Sequence, residues 1–438
     1  MRTKYRRVLL ALFWLALAYM AFEGVKKLGE VTDFSVYYRA ADAVRNGSSA
    51  YESEIPGRPT LPYVYPPVLS SLLLPLTFLG EATAQGIWTV VNLAALVGCL
   101  FLVRRLLFFH ADPVPLVIAS FLLVFPFFRS TIRSGQIDLI LFWMMLLPLC
   151  PGEGKRPFRS GLSLGTAIAI KMYPAGAMLG WFVGRKWKRI GAVMAVTVIL
   201  SLLVPVVFLG PGTAMREIGI FWTELTPQLA GWKEAPDWYG YRTHHAYALP
   251  SAMYRWFSAD SVDSLRPGTP PVQIVSLGTT AFWSLTALAT GFWVLLAAVG
   301  LRRVERVKRR PFPEKHLLQA ALVMGLIPIV GPMSLKPSFI TLLPVYAALF
   351  AVPGATRALH LGSWFLAGAA ITLHLFPFRP VFGVEFAQWL EGHSDILVGN
   401  LLLFFALWLR TVRLDAKDRQ AASFGFPEPI PSVGGSKP

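Results

Sequence analysis

The chain is short of cysteine and of charge. Only Cys99 and Cys150 occur, both inside apolar runs, which suggests no disulfide and leaves too few ligands for a thiolate metal site. Charged residues make up 15% of the 438 residues, against about 25% in an average soluble protein. So little polar surface cannot clothe a globule of this size. Hydrophobic residues make up 55% of the chain, the mean hydropathy is +0.53, and apolar runs recur from end to end. Internal repeats are not evident. The first apolar run, Val8 to Phe22, follows Arg2, Lys4, Arg6 and Arg7 as in a signal peptide. No small-x-small cleavage site followed by a soluble domain comes after it, so it reads as an uncleaved span.

The formal charge of +17 raises the question of nucleic acid, and its distribution answers it. A span needs about 20 apolar residues, with Lys and Arg gathered in short cytoplasmic loops. The runs predict about twelve transmembrane helices, at 8–24, 84–103, 113–129, 137–151, 160–171, 173–184, 190–210, 273–299, 317–331, 338–353, 361–376 and 394–409. With the N-terminus inside, the cytoplasmic pieces hold 26 of the 41 Lys and Arg residues but only 7 of the 24 Asp and Glu. The basic excess is a topology signal and no nucleic-acid partner is expected. Both termini then lie in the cytoplasm. Residues 1–410 form an all-α, polytopic membrane domain with two long outer loops, 25–83 and 211–272, and residues 411–438 form a cytoplasmic tail, disordered from about Ala421.

Two segments test this scheme. Residues 160–184 could be one span, but Lys171, Tyr173 and Pro174 interrupt it, and a single span would put the basic loop 300–316 outside. Two short helices meeting at Lys171 fit better, each covering roughly 17–18 Å of a core about 30 Å thick. Lys171 then lies below the outer surface in a wet or protein-lined pocket, or snorkels to the interface. The stretch 67–80 is apolar but short, with Pro66, Pro67 and Pro75, and is expected to lie flat along the outer face.

The outer loops carry the polar and aromatic residues. In Asp33-Phe34-Ser35-Val36-Tyr37-Tyr38-Arg39-Ala40-Ala41-Asp42-Ala43-Val44-Arg45, positions 36, 37, 40, 41 and 44 share one helical face. Asp33 stands where an N-cap belongs, and Gly47 ends the helix. Asp33 is therefore either a cap, or a carboxylate held at the membrane surface to accept a proton, or both. Tyr63-Val64-Tyr65-Pro66-Pro67 reads as an extended turn, its aromatics at headgroup depth as an interfacial belt.

With Asp33 after the first span, the Tyr37-Tyr38-Arg39-Ala40-Ala41 helix, Tyr63-Val64-Tyr65-Pro66-Pro67, Ser134-Gly135-Gln136 between spans and Lys171-Met172-Tyr173-Pro174, the chain resembles glycosyltransferase family 87 over roughly residues 8–353. The resemblance implies a GT-C-like membrane enzyme, typically a mannosyltransferase dependent on a polyprenyl-phosphate sugar; no metal or other cofactor is expected if side chains supply the positive charge. It also implies that Asp33 is the general base and that the leaving lipid phosphate meets cationic partners. Arg133, beside Gly135-Gln136, and Lys171 are candidates for that partner, Arg133 being otherwise a flanking anchor. Gln136 could hold a sugar hydroxyl or cap its loop, and Tyr37 and Tyr65 join the expected substrate-binding group. Asp138 stands where the family more often shows an amide. In place of the family's late Ser-Pro-x-Ser-Trp-x-His-His turn the chain reads Gly331-Pro332-Met333-Ser334-Leu335-Lys336-Pro337-Ser338, so no histidine role carries over and Lys336 becomes the candidate phosphate ligand.

In the second outer loop, His244 and His245 could contact the donor or simply pack the loop; adjacent histidines alone make a poor metal motif. His374 and His393 read as interfacial. By the resemblance, the expected function is transfer of a sugar, typically mannose, from a polyprenyl phosphate to a lipid or glycan acceptor outside the cytoplasm, in a bacterial plasma membrane. Its rivals are a secondary transporter, which the helix break at Lys171 resembles, and a non-catalytic lipid-binding scaffold.

Overall fold

In the computed structural model the described residues are all except 1, 54–61, 154–155, 227–245, 259–272, 308–313, 332–333, 354–355, 376–385, 387–388, 391–392 and 424–438. They form α1 (Arg2–Lys26), α2 (Asp33–Arg45), α3 (Pro67–Leu73), α4 (Glu81–Leu106), α5 (Val114–Ser134), α6 (Asp138–Leu146), α7 (Pro157–Ile170), α8 (Leu179–Val183), α9 (Trp187–Leu209), α10 (Pro211–Ile220), α11 (Leu249–Phe257), α12 (Thr279–Arg306), α13 (Lys315–Val330), α14 (Leu343–Ala351), α15 (Arg357–Leu375) and α16 (Asp395–Ser423). Among the described residues there are no strands, only one isolated bridge between Ser258 and Leu277.

Every apolar segment expected to span carries helix. Among the described residues seven helices are long and apolar enough to cross a bilayer, namely α1, α4, α5, α9, α12, α15 and α16. Of the shorter helices, α13 and α14 are enclosed by protein rather than lipid. In α13 every residue from Leu317 to Ile329 is buried, so this helix can be apolar all round without facing the bilayer. By contrast α9 buries only Ile190, Val193 and Pro205 and leaves Val198, Leu202, Leu203 and Val207 exposed, as a lipid-facing helix must.

The break at Lys171 is present. α7 ends at Ile170, Lys171 is extended (φ −153°, ψ 131°), and the chain resumes as a 3₁₀ turn over Tyr173–Met178 before α8. The stretch expected to lie flat is helical too, α3 followed by a 3₁₀ turn over Leu74–Phe78. At 1.5 Å per residue α3 is only about 10 Å long, and it packs between α2 and α9. The last helix continues through Ser423, past residue 411 where the tail was expected to begin.

The two long loops clasp one another at one end of the bundle. Fully buried Glu217 of α10 accepts hydrogen bonds from Ser49 Oγ and the Ala50 backbone N–H, both at 3.1 Å. Tyr51, next along, donates from its hydroxyl to the Tyr65 carbonyl at 3.0 Å. A small core of its own, containing Phe34, Tyr37, Tyr63, Tyr65, Trp88 and Ile137, sits beneath this clasp. About 34 Å away along α9, Lys186 and Lys315 converge on Glu305 at 2.8 and 2.7 Å.

Candidate active site

Asp33 is not the cap of its helix. Thr32 holds that position with an extended backbone (φ −131°, ψ 179°), its N–H donating to Ser35 Oγ at 3.1 Å. Asp33 is the first helical residue, so its carboxylate is released from capping and turns toward the loop between α5 and α6. There the Gln136 side-chain amide donates to Asp33 Oδ2 at 2.7 Å. The other end of the same amide fixes its orientation: Gln136 Oε1 accepts from the Tyr37 hydroxyl at 2.9 Å and lies 3.4 Å from that of Tyr65. The two tyrosine hydroxyls are 3.0 Å apart.

Gly135 makes the approach possible. Its φ is +69°, and a Cβ there would sit 2.9 Å from Phe34 Cβ, so only glycine allows this loop to lie against the start of α2. Trp88 Nε1 donates to the Gly135 carbonyl at 2.7 Å and pins the turn.

Asp138, two residues past Gln136, is 1% exposed, and both its oxygens lie 3.3 Å from Lys171 Nζ. The ammonium sits 5.2 Å from the ring centroids of both Tyr65 and Tyr173. Lys171 is thus held in a protein-lined pocket rather than reaching away to an interface. Burial pushes the Asp33 carboxyl above its ordinary range, against the lowering effects of the Gln136 hydrogen bond and the Lys171 charge. Burial likewise raises the Tyr37 and Tyr65 phenols, so both remain protonated donors.

Five of the expected residues, Asp33, Tyr37, Tyr65, Gln136 and Lys171, therefore meet, joined by the Asp33–Gln136–tyrosine hydrogen bonds and the charge of Lys171. Arg133 does not join them. It lies on the last turn of α5 with Nε 3.7 Å from Glu23 of α1, which also takes Arg129 at 3.3 Å. Lys336 stands over the Tyr247 ring at 5.6 Å, where the Tyr247 N–H donates to the Ser334 carbonyl at 2.7 Å. The second loop and the late turn thus meet each other, and the 3₁₀ turn starting at Lys336 packs against α6. His244 and His245 lie outside the described residues. His374 is buried in the last turn of α15, with Nδ1 2.9 Å from the Tyr346 hydroxyl.

Sequence reasoning missed the partners. The sequence assigns Asp138 no role, and nothing in its spacing joins it to the lysine that follows α7. A mainly apolar cleft of about 100 Å³ is lined by residues including Pro66 and Met172, the chain neighbours of Tyr65 and Lys171, with Pro67, Ile168, Leu202 and Trp222.

Chemically, the arrangement presents one oriented carboxylate with raised proton affinity, neutral phenol donors and a nearby ammonium, beside an apolar cleft against a lipid-facing helix. A polyprenol-phosphate-mannose-dependent alpha-(1-2)-phosphatidylinositol pentamannoside mannosyltransferase of Mycolicibacterium smegmatis is 31% identical over 180 residues, 39% of this chain and 43% of that protein. A polyprenol-phosphate-mannose-dependent alpha-(1-2)-phosphatidylinositol mannoside mannosyltransferase of Mycobacterium tuberculosis is 23% identical over 391 residues, 84% of this chain and 82% of that one. The crystal structure of ArnT from Cupriavidus metallidurans bound to undecaprenyl phosphate aligns over 97% of this chain and 80% of that one, with 13% identity and a TM-score of 0.36. The family model described as glycosyltransferase family 87 matches residues 63–332, from Tyr63 of the extended turn to the start of the late turn. This integral membrane protein belongs to glycosyltransferase family 87, a family of sugar-transferring enzymes.

Proposed function

We propose that the chain transfers one mannosyl unit from a polyprenyl-phosphate donor to a hydroxyl of a lipid or glycan acceptor, with Asp33 as general base. The acceptor oxygen forms a bond to the anomeric carbon while the bond from that carbon to the phosphate oxygen breaks. The bonding electron pair leaves with the lipid phosphate, and the acceptor's proton passes to Asp33. The raised proton affinity of Asp33 suits this task, and its charge also suits an oxocarbenium-like transition state.

Lys171 offers positive charge to the departing phosphate, so the reading calls for no cofactor. Gln136 acts on Asp33 as an orienting donor, and the apolar cleft lined by Pro66 and Met172 gives the donor's prenyl chain a route to the lipid. The distribution of basic residues supports a site on the non-cytoplasmic side with both termini in the cytoplasm, and in this reading the membrane is a bacterial plasma membrane.

The observation that carries the reading is the aim of Asp33: freed from capping by Thr32, it is held by Gln136 within the field of Lys171. Mass analysis of membrane glycolipids from cells carrying wild type or Asp33→Asn tests it. The expected result is loss of one hexose-bearing species, with its acceptor accumulating, in the variant. An unchanged glycolipid profile would count against the reading, and substrate flux through proteoliposomes without sugar transfer would favour a transporter.

A further inference from the structure

Lys171 reaches the site with a counter-ion already in place. Asp138 is 1% exposed and both its oxygens lie 3.3 Å from Lys171 Nζ. A carboxylate so deeply buried is costly without a cation, so the pair stands whether or not a lipid phosphate is bound. The charges of Lys171 and Asp138 also act on Asp33. Counted together, Asp33, Asp138 and Lys171 leave the site one negative charge before any substrate arrives.

That count bears on the two lipid phosphates the proposed reaction handles, and the inference rests on that reaction. The donor is a phosphodiester with one ionised oxygen. Cleavage of its bond to the anomeric carbon leaves a phosphomonoester, which carries about −1.5 to −2 near neutral pH. A site whose lysine is unopposed would hold that product more tightly than the donor and slow its own turnover. We propose that Asp138 is a positioning residue acting through Lys171: it offsets the ammonium so that the site accepts the diester and does not retain the monoester product. Asp138 thereby sets selectivity between the two charge states of the same lipid and promotes product release.

Binding of polyprenyl phosphate and of its methyl ester, a monoester and a diester on one chain, tests this with the full-length protein in lipid nanodiscs. Wild type is expected to bind the diester at least as tightly as the monoester. Asp138→Asn is expected to tighten the monoester about tenfold and the diester no more than about threefold, since the monoester carries the larger charge. In Asp138→Asn/Lys171→Gln the gain disappears, because the unopposed ammonium has gone as well. A purely structural role for Asp138 would change both lipids alike, and that result overturns the proposal. So does a wild type that binds the monoester tenfold more tightly than the diester, a comparison that needs no variant to fold. A wild type that binds neither lipid overturns the glycosyltransfer reading itself.

Discussion

Gln136 and Asp33, separated by 103 positions in the chain, meet through a 2.7 Å hydrogen bond from the glutamine amide to the aspartate Oδ2. The bond can form because Thr32 takes over the helix cap and because Gly135 lets the α5–α6 loop lie against Phe34. The same glutamine receives the Tyr37 hydroxyl at 2.9 Å, so its amide has one orientation and Asp33 one rotamer.

Gln136→Leu removes the donor that orients the base. A hydrogen bond to a charged group is worth about 1.5–3 kcal/mol, so kcat/KM is expected to fall about 10- to 150-fold. Steady-state transfer with a fixed acceptor measures it. A fall confined to KM would mean that Gln136 binds sugar and does not orient Asp33.

The pH profile follows from the raised Asp33 carboxyl. A general base must be ionised, so the acid limb of kcat/KM is expected above the ordinary aspartate value of about 3.9, in the direction set by burial. Gln136→Leu deletes a bond that lowers this value, so the limb moves further up. An unshifted limb would separate Asp33 from the proton transfer.

The same shift makes a stability statement. A carboxyl whose folded-state value is raised favours the fold fully below its unfolded value and loses that contribution as pH rises through the folded one. Ionised Asp33 therefore opposes folding at neutral pH. Asp33→Asn is expected to show a higher Tm than wild type at pH 7, with the difference closing below about pH 4. Thermal unfolding in detergent at both pH values checks this.

Gly135→Ala forces a Cβ to within 2.9 Å of Phe34 Cβ at a φ of +69°. About 1–3 kcal/mol of destabilisation is expected, with loss of transfer as α2 is pushed from Gln136. Substituting Arg133, which is half-exposed and faces Glu23, should by contrast change stability by no more than about 1 kcal/mol and leave kcat/KM within about threefold of wild type. A large loss on Arg133→Gln would restore it to the phosphate site.

Much of the site was legible because the sequence breaks its own pattern at these points. A lysine followed by Tyr173-Pro174 inside an apolar run has to mark a helix break, and an aspartate directly after the first span has to be explained. The partners were not legible. Thr32 and Asp33 are both good caps, and only backbone geometry chooses between them. Asp138 meets Lys171, and Arg133 meets Glu23, across helix contacts that leave no periodicity in the chain. The twelve apolar segments were visible, but their short members could be told from full spans only by what surrounds them. In α13 that is protein on every side.

The most direct test of Asp33 as the base is single-turnover mannosyl transfer by purified protein with labelled polyprenyl-phosphate mannose, run beside a donor-binding measurement. Asp33→Asn is expected to abolish transfer while binding the donor within a few-fold of wild type. Transfer at the wild-type rate by Asp33→Asn, in protein that still binds donor, would contradict it.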